Sequence, residues 1–491
     1  MAVFIDTPYK LNYRVTPQVP EFEPSRYPGV PPSMDAKDRR IAELEAALAA
    51  RDVLIARLSA RIEELERRLG LNSTNSSKPP GSDGLSKPAP QSLREKSGKP
   101  SGGQPGHQGD TLKQVARPDL VISHAITHCP HCATDLQQSA VVGIRKRQVF
   151  DIPEPQIHVT EHQAHIKRCP CCDTHVMADF PQDVQAPVQY GPRVKALAVY
   201  LHQQQMIPED RLQVLFQDVF GLSISTATLT NNSIAFAEKV TPLTQVILEQ
   251  LRKAPVKHLD ESGLRVAAKL HWLHVLCNEQ WTYYRVAEKR GDLPQGLTGI
   301  LVHDHFKPYY KLADVDHSLC GAHHLRELKG LEEIDREPWA GSMTRLLKSA
   351  CHLTHQGTVC AARIARIRRV YDAIVEQGVF FHERQPPLQT GLRGRQKRRP
   401  GHNLAIRLRD YKEDALRFLS NIHVPFTNNQ AEQDVRMIKV KQKISGGFRT
   451  LSGAQVFAIT RTFLSTMRKQ GVNLFQAILN PTLANFSCEC K

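Results

Sequence analysis

Four cysteines fall in two C-x-x-C pairs, "CPHC" at 129–132 and "CPCC" at 169–172, with 36 residues between Cys132 and Cys169. Each pair is a knuckle that presents two thiolates, and four thiolates make a closed tetrahedral site for a structural Zn²⁺. The expected ligands are Cys129, Cys132, Cys169 and Cys172, with Cys171 and His131 as spare candidates. A redox pair or an incidental cluster is the alternative. A second kind of chemistry is suggested by three acids. "APVKHLDESGLRV" holds a short apolar run ending near Asp260, and "LTGILVHDHF" holds another, Ile300 to Val302, running into Asp304. Neighbouring strands lie about 5 Å apart, so aspartates at matching strand ends can share a site. Glu432, in "PFTNNQAEQDVRMIKVKQKISGGFRT" (425–450), can supply a third carboxylate. Three hard oxygen donors suit Mg²⁺ or Mn²⁺. Two such ions about 4 Å apart assist in-line displacement at phosphorus. As bare residues, Asp260 and Asp304 fit ordinary turn or cap positions equally well.

The elements that must position these groups follow from local pattern. Residues 141–150 and 156–167 read as two strands joined at "DIPEP", a hairpin that would bring the cysteine knuckles together as a zinc ribbon. Residues 270–277 and 281–287 read as a β-hairpin turning at "NEQ". The 425–450 stretch opens with Asn428 and Asn429, which suit a helix start, and then turns basic. Asp434 projects from a different helix face than Glu432 and is expected to be an ion-pair partner. Arg436, Lys439, Lys441 and Lys443 are expected to meet DNA phosphates, which position rather than specify. Gly446 and Gly447 permit close backbone approach. Residues 190–245 read as helix, a break at Gly221, and a second helix from near Ser225. That is a helix-turn-helix pattern, although many helix pairs share it without touching DNA.

Towards the N-terminus, Met34, Ile41, Leu48, Ile55, Ile62 and Leu69 recur every seven residues, with Leu44, Leu58 and Leu65 at the second seam position. Lys37 and Arg51 interrupt that seam. The a/d pattern predicts a coiled coil, with Arg61 and Glu66 placed to pair between parallel helices. Packing of the same helix on its own chain is the alternative. Residues 72–110, rich in Ser, Pro, Gly and Lys, read as a flexible tether. With 65 Lys and Arg against 49 Asp and Glu, the formal charge is +16, which favours a polyanionic partner, nucleic acid before others. The chain has no apolar run of about 18 residues, so a membrane span is not expected. No charged head and apolar run marks a signal peptide at the N-terminus. The cysteines are therefore expected to be reduced, in a cytosol.

The words "LDES", "VHDHF", "TNNQAEQDVRMIKVKQKISGGFRT", "NSSKPPGSDG" and "GGQPGHQG" resemble those of the insertion sequence 66 family of bacterial DDE transposases. The resemblance runs from the heptad helix to about residue 478, and the order of parts is similar. It implies a catalytic triad of Asp260, Asp304 and Glu432 in an RNase H-like core, a central mixed sheet flanked by helices. It also implies an insertion before the glutamate, which here stands 128 positions (432 − 304) beyond Asp304. The family's C-x-x-H after the second aspartate is matched by Cys320 and His323, although "LCGAHHLREL" doubles the histidine and lacks a tryptophan found in many members. Helix packing and a second metal or fold-locking contact both remain open for Cys320.

The expected organisation is a multidomain α+β chain. It comprises a tail at 1–33, a leucine-zipper-like coiled coil at 34–70, a flexible linker at 71–118 and a zinc-binding domain at 119–178. A helical domain with the helix-turn-helix pattern is expected at 185–250. The catalytic core is expected at 251–478, with its helical insertion at about 325–420, and a tail at 479–491. The expected function is a transposase in the bacterial cytoplasm, associated with the nucleoid. Water would cut the DNA at the ends of the element, and the freed 3′-hydroxyl would then attack target DNA. Its partners would be double-stranded DNA, a second copy through the coiled coil, and small accessory proteins of the same element, with no membrane. Two rivals stand beside it: a non-catalytic zinc DNA-binding protein derived from a transposase, and a metal-dependent nuclease of the same fold.

Overall fold

The computed structural model describes residues 34–76, 83, 106, 111–386 and 397–483. The expected tail at 1–33, most of the linker, part of the basic loop at 393–402 and the end of the C-terminal tail lie outside the described residues. The chain divides into two units, Met1–Gly70 and Leu71–Lys491. In the first, Met34–Gly70 is one 37-residue helix, α1. Its heptad residues Ile41, Leu44, Leu48, Ile55, Leu58, Ile62, Leu65 and Leu69 form an exposed apolar stripe. Arg40–Glu43 and Arg68–Glu64 pairs support the helix one turn apart.

The second unit corrects the linker reading at its start. Residues 71–76 form a compact turn rather than a loose tether. Asn72 Oδ1 accepts from the Thr74 amide at 2.8 Å, Asn75 Oδ1 accepts from the Asn72 amide at 2.7 Å, and the Ser73 amide donates to Asp83 at 3.0 Å. Ser73 and Asn75 are buried. A Cβ on Gly330 would overlap the Asn75 carbonyl oxygen. Composition suggested solvated chain because the burial comes from polar Asx turns, which carry no apolar signature.

The zinc region is corrected as well. No strand forms over 141–165; Ile166–Arg168 (β1) pairs antiparallel with His175–Met177 (β2). The apolar residues of the expected strands, among them Val142, Val149 and Val159, are exposed and have no surface to pack on. The period-2 pattern alone therefore secures no sheet. At one point a side chain replaces a ladder partner: Gln148 both accepts from the Val115 amide and donates to its carbonyl, each at 2.7 Å.

Three helices follow: α2 (Pro192–Val199), running into a π-turn at Tyr200–Gln204, α3 (Glu209–Phe220) and α4 (Thr226–Lys253). Gly221, at φ 62°, closes α3 in the left-handed conformation, and the Ser225 side chain caps α4 by accepting from the Thr228 amide at 3.1 Å. The expected break and restart are therefore both present. The expected boundary at 250 falls inside α4, whose Ile247 and Leu251 pack on Leu259 and Leu276 of the sheet.

That sheet has five strands: β3 (Val256–Val266), β4 (Lys269–Cys277), β5 (Thr282–Ala287), β6 (Gly299–His303) and β7 (Val315–Leu319). Their order is β5-β4-β3-β6-β7, with the first three antiparallel and the β3–β6 and β6–β7 pairs parallel. The β4–β5 hairpin matches expectation within a residue or so. β3, however, passes through Asp260 instead of ending there. Alternate residues of a strand face opposite ways. Leu264, Val266, Leu273 and Val275 meet Ala431 and Ile438 of α10 (Asn429–Ser445) and Phe457 of α11 (Leu451–Lys469). Leu259 and Leu276, on the opposite alternation, meet Ile247 and Leu251 of α4. Between β7 and α10 the chain makes α5 (Gly321–Glu333), α6 (Pro338–His355), α7 (Ala361–Glu383), α8 (Pro400–Asp410) and α9 (Lys412–Ser420), the expected helical insertion. Trp339, Tyr371, Leu404 and Phe418 form its core.

Candidate active site

The parallel β3–β6 ladder sets Val256 beside Ile300, Lys257 beside Leu301 and His258 beside Val302. Carried two residues beyond the paired stretch, the same offset would set Asp260 level with Asp304. Asp260 shares the alternation of Leu264 and Val266, so it faces α10, and Glu432 lies in the first turn of that helix. Asp304 and Glu432 lie near enough for their charges to act on Asp260, but the oxygens of the three acids do not all come within 4.8 Å of one another. Asp260 is pushed well above the ordinary carboxylate range, first by burial, then by the charges of Glu261, Asp304 and, more weakly, Glu432. Asp304 is raised to about 6 by burial and by Glu261, while the Phe306 amide and Arg290 partly offset this. Buried like charges are costly unless a cation joins them. Glu432 Oε1 is buried without a hydrogen-bond partner. Three carboxylates, one with an orphaned oxygen, fit a hard divalent ion.

The start of α10 is fixed by Asn428, which is 1% exposed. Its Nδ2 donates to the Leu259 carbonyl at 2.9 Å, its Oδ1 lies 2.9 Å from His258 Nδ1, and its amide donates to Cys320 Sγ at 3.1 Å. One buried amide thus ties the helix bearing Glu432 to the strand bearing Asp260 and to the start of α5. Farther along, Gln442 donates to the Gly263 carbonyl at 2.8 Å. The helix ends at Gly446 (φ 71°). The next residues then add a β-bridge: the Phe448 amide donates to the Arg265 carbonyl at 2.8 Å, and the Ala267 amide donates to Phe448 at 2.9 Å. A Cβ on Gly447 would stand 2.7 Å from that Arg265 oxygen. Of the two glycines only Gly447 makes the expected close approach, to the β3–β4 turn; nothing lies within 4 Å of a Cβ on Gly446, which ends the helix at its positive φ.

Asp434 points away from the acids. Lys469 Nζ lies 2.7 Å from it and Thr282 donates to it at 3.1 Å, an ion pair as expected. Glu432, Arg436, Lys439 and Lys443 recur at i, i+4, i+7 and i+11, one face of the helix. Arg436, Lys439 and Lys443 are exposed, and Lys439 feels the charge of Asp260. Lys441 departs from that face: it is half-buried and interacts with Glu209 of α3.

Glu261, which no sequence motif singles out, lies beneath the site. Arg290 Nε donates to it at 2.7 Å, Tyr309 also donates to it, and the Arg290 guanidinium stacks 3.8 Å over Phe306. The adjacency of Glu261 to Asp260 in "LDES" was the available signal. Also unassigned was the role of Cys320. With His323 and Glu432 it forms the one group of three such donors, among the described residues, whose ligand atoms all lie within 4.8 Å of one another.

The cysteine knuckles repeat a single geometry. The Cys129 amide donates to Thr134 and the Ala133 amide to Cys129; the Cys169 amide donates to Thr174 and the Asp173 amide to Cys169, all at 2.9 Å. Ala133 (φ 58°) and Asp173 (φ 62°) both adopt the left-handed turn. The thiols of Cys132 and Cys172 are acidified, the latter to about 7, first by the hydroxyls of Thr134 and Thr174. A lowered thiol pKa suits a metal ligand.

The described elements define a mixed helix-and-sheet protein with a cysteine-knuckle module ahead of an acid-bearing core. A model of the transposase IS66 family matches residues 187–456, more than half the chain. The zinc-finger binding domain of transposase IS66 matches 127–173, and a family of unknown function (DUF6444) matches 30–113. No curated protein matches the chain. The chain belongs to the transposase IS66 family. None of the helices among the described residues is long and apolar enough to cross a membrane.

Proposed function

We propose that the chain is a DNA transposase in which Asp260, Asp304 and Glu432 hold Mg²⁺ or Mn²⁺ and act on phosphodiesters. The observation that supports this reading is the parallel β3–β6 register, which, carried two residues further, would level Asp260 with Asp304 on the face that α10 packs against. The strand order, with three antiparallel strands followed by two parallel ones, supports an RNase H-like core. When bound, the ions supply positive charge to the attacking and leaving oxygens of an in-line displacement.

The protein's own groups hold and orient. Asp304, near 6, is ionised at neutral pH and available as a ligand. Asn428 holds Glu432 in reach of the aspartates, and Glu261 is kept to the rear by Arg290 and Tyr309. Arg436, Lys439 and Lys443 extend the Glu432 face into a cationic strip for DNA phosphates. Lys441 is assigned to the same function through its exposed part. Water attack at an element end would leave a 3′-hydroxyl, which then displaces a target phosphodiester in the same site.

The other modules are given supporting tasks. Cys129, Cys132, Cys169 and Cys172 hold structural Zn²⁺, and that domain together with the α3–α4 pair recognises the element ends. The exposed stripe of α1 pairs with a second copy as a coiled coil. Small accessory proteins of the element join on DNA, in the cytoplasm at the nucleoid. A strand-transfer assay with labelled element ends tests the reading. Joined product with Mg²⁺, lost in Asp260→Asn, is expected. Nicks without joining favour a nuclease of the same fold, and binding without cutting favours a non-catalytic DNA-binding protein.

A further inference from the structure

The start of α5 carries donors that the proposed reaction does not use. Cys320 is the N-cap residue of α5 and is 1% exposed; His323 lies in the first turn. Together with Glu432 they bring one sulfur, one nitrogen and one oxygen to within 4.8 Å of one another. The sulfur already receives the Asn428 amide at 3.1 Å. The amides of His323 and Ala322 also favour its thiolate, although burial prevails and lifts the thiol to about 11. His323 Nδ1 and Glu432 Oε1 lie 3.8 Å apart, and both are buried without a hydrogen-bond partner. His323 is held neutral, its pKa lowered to about 3 by burial, Arg326 and Arg407. A neutral imidazole nitrogen, a carboxylate oxygen and an amide-braced sulfur, two of them unsatisfied, are what a metal ion would bind and what a hydrogen-bonded core would avoid.

We propose that Cys320, His323 and Glu432 form a second Zn²⁺ site, separate from the four thiols of the zinc-finger domain. Thiolate and imidazole select zinc over Mg²⁺, and three protein ligands leave one position for water or a phosphate oxygen. Zinc sits about 2.3 Å from sulfur and about 2.0 Å from nitrogen or oxygen, so the donors draw inward by up to about 1 Å on binding. The Cys320 proton passes to solvent as the metal binds. The opposing group is Arg326, whose guanidinium lies 3.9 Å from Glu432 Oε1 and must yield the carboxylate. Because Glu432 also belongs to the proposed triad, zinc at this site would hold it on the α5 side, and excess zinc would compete with Mg²⁺.

The site rests on its donors and not on the strand-transfer reading, and its test needs neither DNA nor Mg²⁺. The full-length protein is loaded with Zn²⁺, dialysed and its metal counted by mass spectrometry. Two ions per chain are expected in the wild type, one in Cys320→Ser, His323→Asn and Glu432→Gln, and two in Asp260→Asn. In the Co²⁺-substituted protein, Cys320→Ser lowers thiolate-to-cobalt absorption by about a fifth, from five thiolates to four. One ion per chain in the wild type overturns the proposal and leaves Glu432 to Arg326. Two ions retained in all three variants also overturn it. Should Cys320→Ser fail to fold, His323→Asn and the isosteric Glu432→Gln decide, since both leave the amide bonds to sulfur in place.

Discussion

Asp304→Asn should make the Mg²⁺-free protein more stable while abolishing its reaction. Folding raises the Asp304 pKa from 3.8 to about 6. A shift of about two units corresponds to about 3 kcal/mol, and partial solvent access reduces it to about 1–3 kcal/mol. The folded state binds this proton more tightly than the unfolded chain does. Stability from this group is therefore fully present below 3.8, falls as pH climbs to about 6, and is absent at pH 7. Asparagine removes the charge and keeps an oxygen for the Phe306 amide, which donates to Asp304 at 2.8 Å. Urea unfolding can be followed by Trp272, Trp281 and Trp339, all in the second unit. The variant should gain about 1–3 kcal/mol at pH 7, with the gap closing towards pH 5. Saturating Mg²⁺ should stabilise the wild type and leave the variant almost unmoved. A variant no more stable than wild type at pH 7 without Mg²⁺ would refute the claim that Asp304 sits in a mutually repelling, buried set of acids.

Asn428→Ala removes two buried side-chain bonds, to His258 and Leu259, and should cost about 2–4 kcal/mol in urea; strand transfer should fall at least tenfold as Glu432 loses its position. Gly447→Ala drives a Cβ against the Arg265 carbonyl, so the Phe448 bridge should open, seen as faster hydrogen exchange at the Phe448 and Ala267 amides. Arg436→Gln with Lys443→Gln should weaken binding to every duplex alike and reduce the salt slope by about 2; an unchanged slope would take the helix off the DNA path. Cys172→Ser should release the zinc of residues 127–173, measured as one ion lost per chain, without shifting the Trp-reported transition.

What the sequence made legible was whatever short-range chemistry dictates. Gly221 and Ser225 mark a helix end and start because a left-handed cap and a side-chain acceptor are local requirements, and both are met. The β4–β5 hairpin was legible from alternation and turn residues, and Asp434 from its helical angle to Glu432. Over 141–165 the expected strands did not form, because alternation reports amphipathicity and not a partner surface. The packed turn at 71–76 was hidden by polar composition. The locking role of Asn428 was illegible for another reason. It depends on His258, Leu259 and Cys320, which stand more than 100 positions away, and an asparagine before a helix looks the same whether it caps locally or bridges strands.

The seam at Cys320 explains how a site can survive so long an interruption. The helices of the insertion separate Asp304 from Glu432, yet the chain enters and leaves them at one point. The Gly321 amide donates to the Phe426 carbonyl at 2.8 Å, the Asn428 amide meets Cys320 Sγ, and the Phe426 ring occupies the space a Cβ on Gly321 would need. Cys320 in turn continues from β7, and its amide donates to the His303 carbonyl at 2.9 Å, beside Asp304. The ends of the insertion are thus pinned to each other and to the strand that delivers the second aspartate. Loop closure over the intervening residues costs little more for a long insertion than for a short one. The position of Glu432 is then set by Asn428 and this seam, not by the length of chain between. Changes within α6 to α9 should alter stability while leaving the geometry of the three acids intact, whereas a single methyl group at Gly321 should displace α10 and Glu432 with it.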